Sequence, residues 1–200
     1  MQRFSIHDEQ KLQELLGEHK VPKFRYSQIE NALYKNFISN FDEIETIPKD
    51  LREILNKSCF YSSLTVDHEA TSANGQTTKI LFKTQDGLLI ESVIMRHLSG
   101  RNTLCISCQA GCPMACTFCA TGKLWLQKNL ELYEVVEQVM YAANLLDTEW
   151  TRLRNIVFMG MGEPMLNYEV MKEAIHVFTN QKKFDLSNRR VTVSTCGIVP

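Results

Sequence analysis

Three cysteines placed close together constrain this chain more than any other feature. Cys112, Cys116 and Cys119 have the spacing C-x3-C-x2-C, in a short segment that also contains a glycine and a proline. Three thiolates on one loop can occupy three corners of a cubane iron–sulfur cluster, which usually takes four cysteine ligands. Such a loop favours a [4Fe–4S] cluster in which one iron is open to a ligand from outside the protein.

A structural zinc site is the main alternative for these cysteines. Cys105 and Cys108 form a C-x2-C pair, and Cys116 and Cys119 form a second pair after seven intervening residues. Two such pairs are typical of four-cysteine zinc sites, although seven residues is a short separation and Cys112 is left without a role. A third interpretation, small buried core residues, explains the spacing poorly. The spacing therefore favours the cluster and leaves zinc open.

Composition narrows the class of protein. An apolar fraction of 44% indicates a globular core, and five of the seven cysteines lie between residues 105 and 119, unlike the spread-out cysteines of a secreted disulfide scaffold. The first residues lack a signal-peptide pattern, and no apolar run approaches the roughly 18 residues of a membrane span. We therefore expect a cytoplasmic protein without a membrane segment.

The net charge of the chain does not indicate whether the protein binds nucleic acids. The net charge is −1, whereas nucleic-acid-binding domains are often strongly basic. A local basic cluster is present at Lys182, Lys183, Arg189 and Arg190. A solvated face is the ordinary interpretation of such a cluster, and RNA contact is the alternative.

The first 97 residues predict a small helical region followed by a β-meander. Leu12, Leu15 and Leu16 recur at helical spacing, with Gly17 as a stop signal. A capping box at residues 27–30 predicts the start of a second helix, and Pro48 the start of a third. Strands are predicted at residues 63–69, 77–83 and 88–95. The dipeptides Asn74-Gly75 and Asp86-Gly87 favour tight turns between these strands.

From residue 98 the pattern changes to strand–loop–helix units. Strands are predicted at residues 103–107, 155–159 and 190–195, and helices at 130–146 and 168–179. The apolar middle strand fits a parallel sheet covered on both faces. Because functional loops follow the carboxyl ends of parallel strands, we expect the cysteine loop, residues 160–164 and the segment around Ser194 to meet.

The wider sequence resembles the RlmN/Cfr family of radical S-adenosylmethionine (SAM) RNA methyltransferases. The resemblance covers essentially the whole chain. It rests on the C-x3-C-x2-C motif and on Thr103-Leu-Cys-Ile-Ser, Gln109-Ala-Gly-Cys112, Phe118-Cys-Ala-Thr-Gly122, Asn129-Leu130, Met159-Gly-Met-Gly-Glu-Pro164 and Arg189-Arg-Val-Thr-Val-Ser-Thr195.

The resemblance implies a fold and two cofactors. The implied fold class is α/β, an incomplete (βα) barrel of the TIM type found in radical SAM proteins, preceded by an accessory domain. The domains are then residues 1–97 and 98–200. Cys112, Cys116 and Cys119 match the ligands of a [4Fe–4S] cluster. Gly162, Glu163 and Ser194 match positions that bind S-adenosyl-L-methionine, whose cleavage supplies the radical step.

The resemblance also implies roles for two further residues and a set of partners. Glu91 matches the base that removes a ring proton of adenine, and Cys105 matches the cysteine that resolves a protein–RNA adduct by forming a disulfide bond. The implied substrates are 23S rRNA and tRNA, methylated at adenine C2. An electron donor such as a flavodoxin or ferredoxin is expected, and the protein is expected to be a monomer.

One part of the family pattern is not found in these residues. By the resemblance, the methyl-carrying cysteine lies beyond Pro200, and Cys196 comes too early to match it. A βα unit takes about 30 residues, so the stretch after Asn102 supplies about three units of a six-unit partial barrel. We therefore expect an amino-terminal fragment of the enzyme. Two alternatives stay open: a Cfr-like adenine-C8 methyltransferase, and a non-catalytic RNA-binding module stabilised by zinc.

Overall fold

The computed structural model describes residues 3–198, and its amino-terminal part is helical. Its three helices are α1 (Glu9–Glu18), α2 (Lys23–Tyr34) and α3 (Lys49–Ser58). Two short strands, β1 (Phe4–Ser5) and β2 (Cys59–Phe60), pair in parallel and tie the start of the chain to the end of α3.

The remaining strands build one main sheet and one small ribbon. They are β3 (Thr65–Thr71), β4 (Thr77–Lys83), β5 (Leu89–Arg96), β6 (Asn102–Cys105), β7 (Gln109–Ala110), β8 (Lys128–Asn129), β9 (Leu153–Phe158) and β10 (Val191–Val193). The helices between them are α4 (Leu132–Thr148) and α5 (Tyr168–Thr179). The main sheet has the order β10-β9-β6-β5-β4-β3, while β7 and β8 pair with each other.

The main sheet combines two kinds of pairing. Strands β3 to β6 are antiparallel neighbours, whereas β6, β9 and β10 run parallel, so their carboxyl ends lie at one edge. Gly75 and Gly87 have φ angles of +70° and +81° in the turns of the meander, which explains why glycine stands there. The α/β class and the parallel arrangement predicted from the sequence are confirmed.

Helix α4 covers one face of this sheet and supplies much of the core. The apolar residues at helical spacing that would face inward are all buried: Val135, Val136, Val139, Met140, Ala143 and Leu146. All of them except Ala143 pack in one cluster with apolar residues of the strands, including Ile80, Ile94 and Leu104. Each fully buried aliphatic side chain of this kind contributes about 1.5–3 kcal/mol.

Several local predictions were wrong in position. Helix α2 begins at Lys23 rather than at Ser27, because Pro22 precedes it with φ −58° and already sets the backbone for a helical start. Ser27 therefore lies inside the helix. Gly17 lies within α1, which ends one residue later. Phe37, which the apolar spacing after Ser27 predicts to lie on this helix, follows the end of α2 with a φ angle of +47°.

The sheet is continuous across the predicted domain boundary at residues 97 and 98. Strand β5 pairs with β6 from Val93 opposite Cys105 to Arg96 opposite Asn102. The meander therefore extends the same sheet that carries the parallel strands. The division into two domains stays a prediction. Within residues 3–198, no helix is both long and apolar enough to cross a membrane.

Glu137 of α4 gives the fold a testable pH dependence. One carboxylate oxygen accepts hydrogen bonds from Ser62, Ser63 and Leu64, and the other has no partner. Burial raises the pKa of Glu137 to about 7, although these hydrogen bonds act in the opposite direction. The folded state thus holds this proton more tightly than the unfolded chain does.

We expect the free energy of unfolding to fall as the pH rises from 4.5 to about 7, because the Glu137 proton must be lost from the buried site. The variant Glu137→Gln should show a shallower fall in urea unfolding curves recorded across this range. Glu173→Gln, at an exposed position of α5, is the control and should keep the wild-type slope. Identical slopes in all three proteins would contradict the assignment.

Candidate functional site

Three loops meet at the carboxyl ends of β6, β9 and β10, as the sequence predicts. The backbone N–H groups of Cys108 and Gln109 both donate to the carbonyl of Met161, at 2.9 and 3.2 Å. The backbone N–H of Cys196 donates to the Glu163 carboxylate at 2.9 Å. The cysteine loop, residues 160–164 and the segment after β10 therefore form one connected surface.

The cysteine loop is closed by its own backbone. The N–H of Cys112 donates to the Leu124 carbonyl, and that of Cys119 to the Cys116 carbonyl, both at 3.1 Å. A Cβ on Gly122 would lie 2.5 Å from the Cys116 carbonyl oxygen, so only glycine allows this close approach. The loop conformation is set by packing of the chain against itself.

The three cysteines of the loop fit an iron–sulfur cluster in donor chemistry. Cys112, Cys116 and Cys119 are half-buried, and all three thiols are free. Within residues 3–198, no three His, Cys, Asp or Glu side chains are grouped as a metal site. The loop supplies three thiol sulfur atoms as ligands. To bind one cluster, the three cysteine side chains must turn toward a common point.

A cysteine-rich zinc site fits less well. The Cys108 side chain is buried and its thiol lies 3.7 Å from the Met161 carbonyl oxygen, to which it donates. Burial, followed by the nearby negative charge of Glu163, raises the pKa of Cys108 to about 12. Zinc binds the thiolate form, which this environment disfavours. Cys105 lies in strand β6, paired on both sides.

Residues 160–164 approach the cysteine loop through two glycines. Gly162 has φ +104°, and a Cβ there would lie 2.6 Å from the Gln109 Cβ. A Cβ on Gly160 would lie 2.6 Å from the Ile106 carbonyl oxygen. Both positions therefore exclude a side chain, and the two loops lie in direct backbone contact.

Glu163 lies between two of the three loops. Its side chain is only 4% exposed, one oxygen accepts from the Met165 N–H at 3.0 Å, and the other accepts from the Cys196 N–H. Burial alone would raise the pKa of Glu163, but the hydrogen bonds from Cys196, Thr195 and Met165 outweigh it and hold the pKa below its usual value. The group is therefore a carboxylate at neutral pH.

Ser194 lies directly after β10 and is exposed. It belongs to the segment that the Glu163 carboxylate holds through Cys196. The structure thus brings Gly162, Glu163 and Ser194, predicted from the sequence to act together, into the same corner.

A buried polar contact that sequence reasoning missed holds the cysteine loop in place. The Gln138 side chain of α4 accepts from the Ser107 N–H at 2.9 Å and donates to the Ser107 carbonyl at 3.0 Å. The Ser107 hydroxyl donates to the Glu91 carbonyl and accepts from the Met161 N–H, at 2.6 and 2.8 Å. Ser107 and Gln138 are both fully buried. The sequence signal was the presence of polar residues, Gln138 among them, between the apolar residues of α4.

Glu91 and Cys105 lie on the sheet face opposite α4. Cys105 pairs with Val93, two residues from Glu91, so the two functional candidates are diagonal neighbours on one face. The Glu91 carboxylate contacts the Lys79 ammonium at 2.6 Å and is 39% exposed. Burial raises the pKa of Cys105, which favours the protonated thiol. None of the seven cysteines is in a disulfide, so the predicted disulfide bond is not found.

Comparisons with known proteins agree with this arrangement. The family model described as the radical SAM superfamily matches residues 106–200. The dual-specificity RNA methyltransferase RlmN of Oleidesulfovibrio alaskensis is 40% identical over 191 residues, covering 94% of this chain and 52% of that protein. The ribosomal RNA large subunit methyltransferase Cfr of Bacillus velezensis is 39% identical over 190 residues, with 95% and 53% covered. The chain belongs to the RlmN/Cfr family of radical SAM proteins.

A solved structure supports the same family assignment. The crystal structure of a radical SAM methyltransferase from Sphaerobacter thermophilus superimposes with a TM-score of 0.93 at 38% sequence identity. The match covers 98% of this chain and 57% of that one. The chain thus spans about half the length of the family members it matches.

We expect Gln138→Leu to lower the free energy of unfolding by about 3 kcal/mol, because it leaves buried polar groups of Ser107 and Ser92 without partners. Chemical denaturation measures this loss. Gln10→Leu, on the exposed face of α1, is the control and should change stability by less than about 0.5 kcal/mol. Similar values for the two variants would show that the buried contact is not stabilising.

Proposed function

We propose that this chain supplies the radical SAM site of an RNA methyltransferase that modifies adenine C2 in 23S rRNA and tRNA. The observation that carries the proposal is the convergence of three loops, containing the three cysteines, Glu163 and Ser194, at the ends of three parallel strands. About 40% identity to RNA methyltransferases supports the substrate class.

In this proposal Cys112, Cys116 and Cys119 hold a [4Fe–4S] cluster through their thiolates. The cluster, when bound, supplies the electron that cleaves SAM to a carbon-centred radical. The need for such chemistry follows from the substrate, because the C2 carbon of adenine is not a nucleophile. An electron donor such as a flavodoxin or ferredoxin would first reduce the cluster.

The corner formed by Gly162, Glu163 and Ser194 binds SAM. The Glu163 carboxylate receives the ammonium group of the amino-acid end, since a charged acceptor at this position attracts a cation. The glycine at position 162 lets the 160–164 loop pack directly on Gln109, which holds the Glu163 carboxylate beside the cysteine loop. The Ser194 hydroxyl, free at the surface, adds a polar contact from the third loop.

On the adjoining face, Glu91 and Cys105 act on the RNA base. Glu91 removes the ring proton, and its contact with Lys79 keeps the carboxylate oriented toward the exposed side of the sheet. Cys105, the diagonal neighbour of Glu91, is the thiol that acts on the protein–RNA adduct. Both residues extend from strands rather than from loops, so their separation is set by the strand register.

Two alternatives are separable from this proposal. A Cfr-like enzyme would methylate adenine C8 with the same site, and relatives of both kinds are about equally similar to this chain. Mass spectrometry of digested RNA distinguishes 2-methyladenosine from 8-methyladenosine by retention time. A zinc-stabilised RNA-binding module would need Cys105 and Cys108 as ligands.

We further propose that the protein acts in the cytoplasm as a monomer.

We expect anaerobic reconstitution with iron and sulfide to give a broad charge-transfer absorption that is lost in Cys112→Ala, Cys116→Ala and Cys119→Ala, because each variant removes one ligand of the cluster. Cys108→Ala is the matched control and should retain the absorption. A protein that binds one zinc ion through Cys108 and gives no such absorption would contradict the proposal.

We expect Glu163→Gln to weaken SAM binding to the reconstituted chain by about 10-fold or more, the ordinary cost of losing a charged hydrogen bond. Isothermal titration calorimetry measures this change. Glu173→Gln removes a carboxylate from an exposed face of α5 and should bind SAM like the wild type. Equal affinities in all three proteins would exclude Glu163 as the ammonium partner.

A further inference from the structure

A basic cleft lies at the opposite end of the parallel strands from the three loops. It has a volume of about 520 Å³ and lies between the end of α2, the last turns of α4, the start of β9 and residues 184–190. Four of its lining residues are cationic: Lys35, Arg152, Arg154 and Arg190. We call this feature the arginine cleft.

The cationic groups of the arginine cleft are available to an external anion. Within residues 3–198, none of the four forms an ion pair, and the two acidic residues of the lining, Asp147 and Asp185, are fewer than the cations. The Arg190 guanidinium makes only a long hydrogen bond of 3.3 Å to the Asn155 side chain. Arg152, Arg154 and Arg190 are all exposed.

A second hollow extends the positive surface. It has a volume of about 420 Å³, shares Lys35 with the arginine cleft, and adds Lys182. Lys183, the next residue in the basic cluster noted from the sequence, behaves differently. Its ammonium group is buried and contacts Glu9 at 3.2 Å, so its charge is used within the fold. Lys183 is therefore part of the folded core, whereas Lys35 and Lys182 face solvent.

Aromatic side chains form part of the cleft wall. Tyr34 is buried, whereas Phe37 and Phe184 are half-buried. Phe184 packs edge-to-face against Tyr34 and Phe178, so these rings shape the wall of the cleft, and the cations supply the contacts to phosphates.

We propose that the arginine cleft binds the phosphate backbone of an RNA substrate beside the nucleotide that is modified. This inference rests on the proposed function and adds a second RNA contact to it. Strand β9 begins at the cleft and ends before residues 160–164, so its six residues separate the two sites by roughly 17–20 Å. An RNA stem can extend over that distance while an unpaired base reaches the loops.

Fluorescence anisotropy with a short labelled RNA hairpin, containing an unpaired adenosine in its loop, tests the proposal on the whole chain. The variant R152Q/R154Q/R190Q should bind at least 10-fold more weakly at low salt. The slope of log affinity against log salt concentration should decrease by about 2 to 3, because three phosphate contacts are lost. The control K57Q/R101Q/K172Q removes the same charge from exposed positions outside the cleft and should bind like the wild type.

Equal loss of affinity in the cleft variant and in the control would overturn the proposal, and so would a wild-type chain that does not bind the hairpin. Thermal unfolding of each variant verifies folding, and K35Q/K182Q provides a second test at side chains that project from exposed positions. The charge-transfer absorption of reconstituted samples separates the two claims. If the absorption forms while both triple variants bind RNA equally, the proposed RNA contact at the arginine cleft is wrong and the proposed function stands.

Discussion

The structure depends on one buried contact between the Gln138 side chain and the backbone of Ser107. Ser107 follows β6, at the point where the chain leaves the sheet and enters the cysteine loop. A side-chain amide can both donate and accept, so Gln138 satisfies the N–H and the carbonyl of one residue at once. Leaving either group unpaired in the core would cost more than the hydrogen bond contributes.

From this contact the geometry of the site follows in steps. The Ser107 hydroxyl holds the Met161 N–H, which fixes residues 160–164 against the cysteine loop. Glu163 then contacts the segment after β10 through Cys196. Helix α4 therefore positions the three loops, although none of them belongs to it, through contacts within the packed core.

The sequence predicted the elements with strong periodicity and the residues with unusual spacing. Helix α5 was predicted with the bounds it has, and the inward residues of α4 are all buried, because apolar periodicity reports burial directly. The three cysteines were found because thiols at this spacing are unusual. Residues 160–164 are a weak signal alone and gained meaning from their position one strand–helix unit after the cysteine loop.

Other features depend on tertiary contacts and could not be predicted. The start of α2 was misplaced since Ser27 and Glu30 match a capping box but lie inside a longer helix that begins after Pro22. The roles of Ser107 and Gln138 require knowledge of which residue on α4 faces which loop. The sheet continues through β5 and β6 because these strands pair across the turn between them. The sequence pattern indicated only a domain boundary at that turn.

The central claim is that the three-cysteine loop and the Glu163 corner form one radical SAM site. Electron paramagnetic resonance of the reconstituted and reduced chain, recorded with and without SAM, tests it most directly. We predict a [4Fe–4S] signal whose g values shift when SAM is added, because SAM would bind the iron that three cysteine ligands leave open. A cluster signal that SAM leaves unchanged would contradict the account.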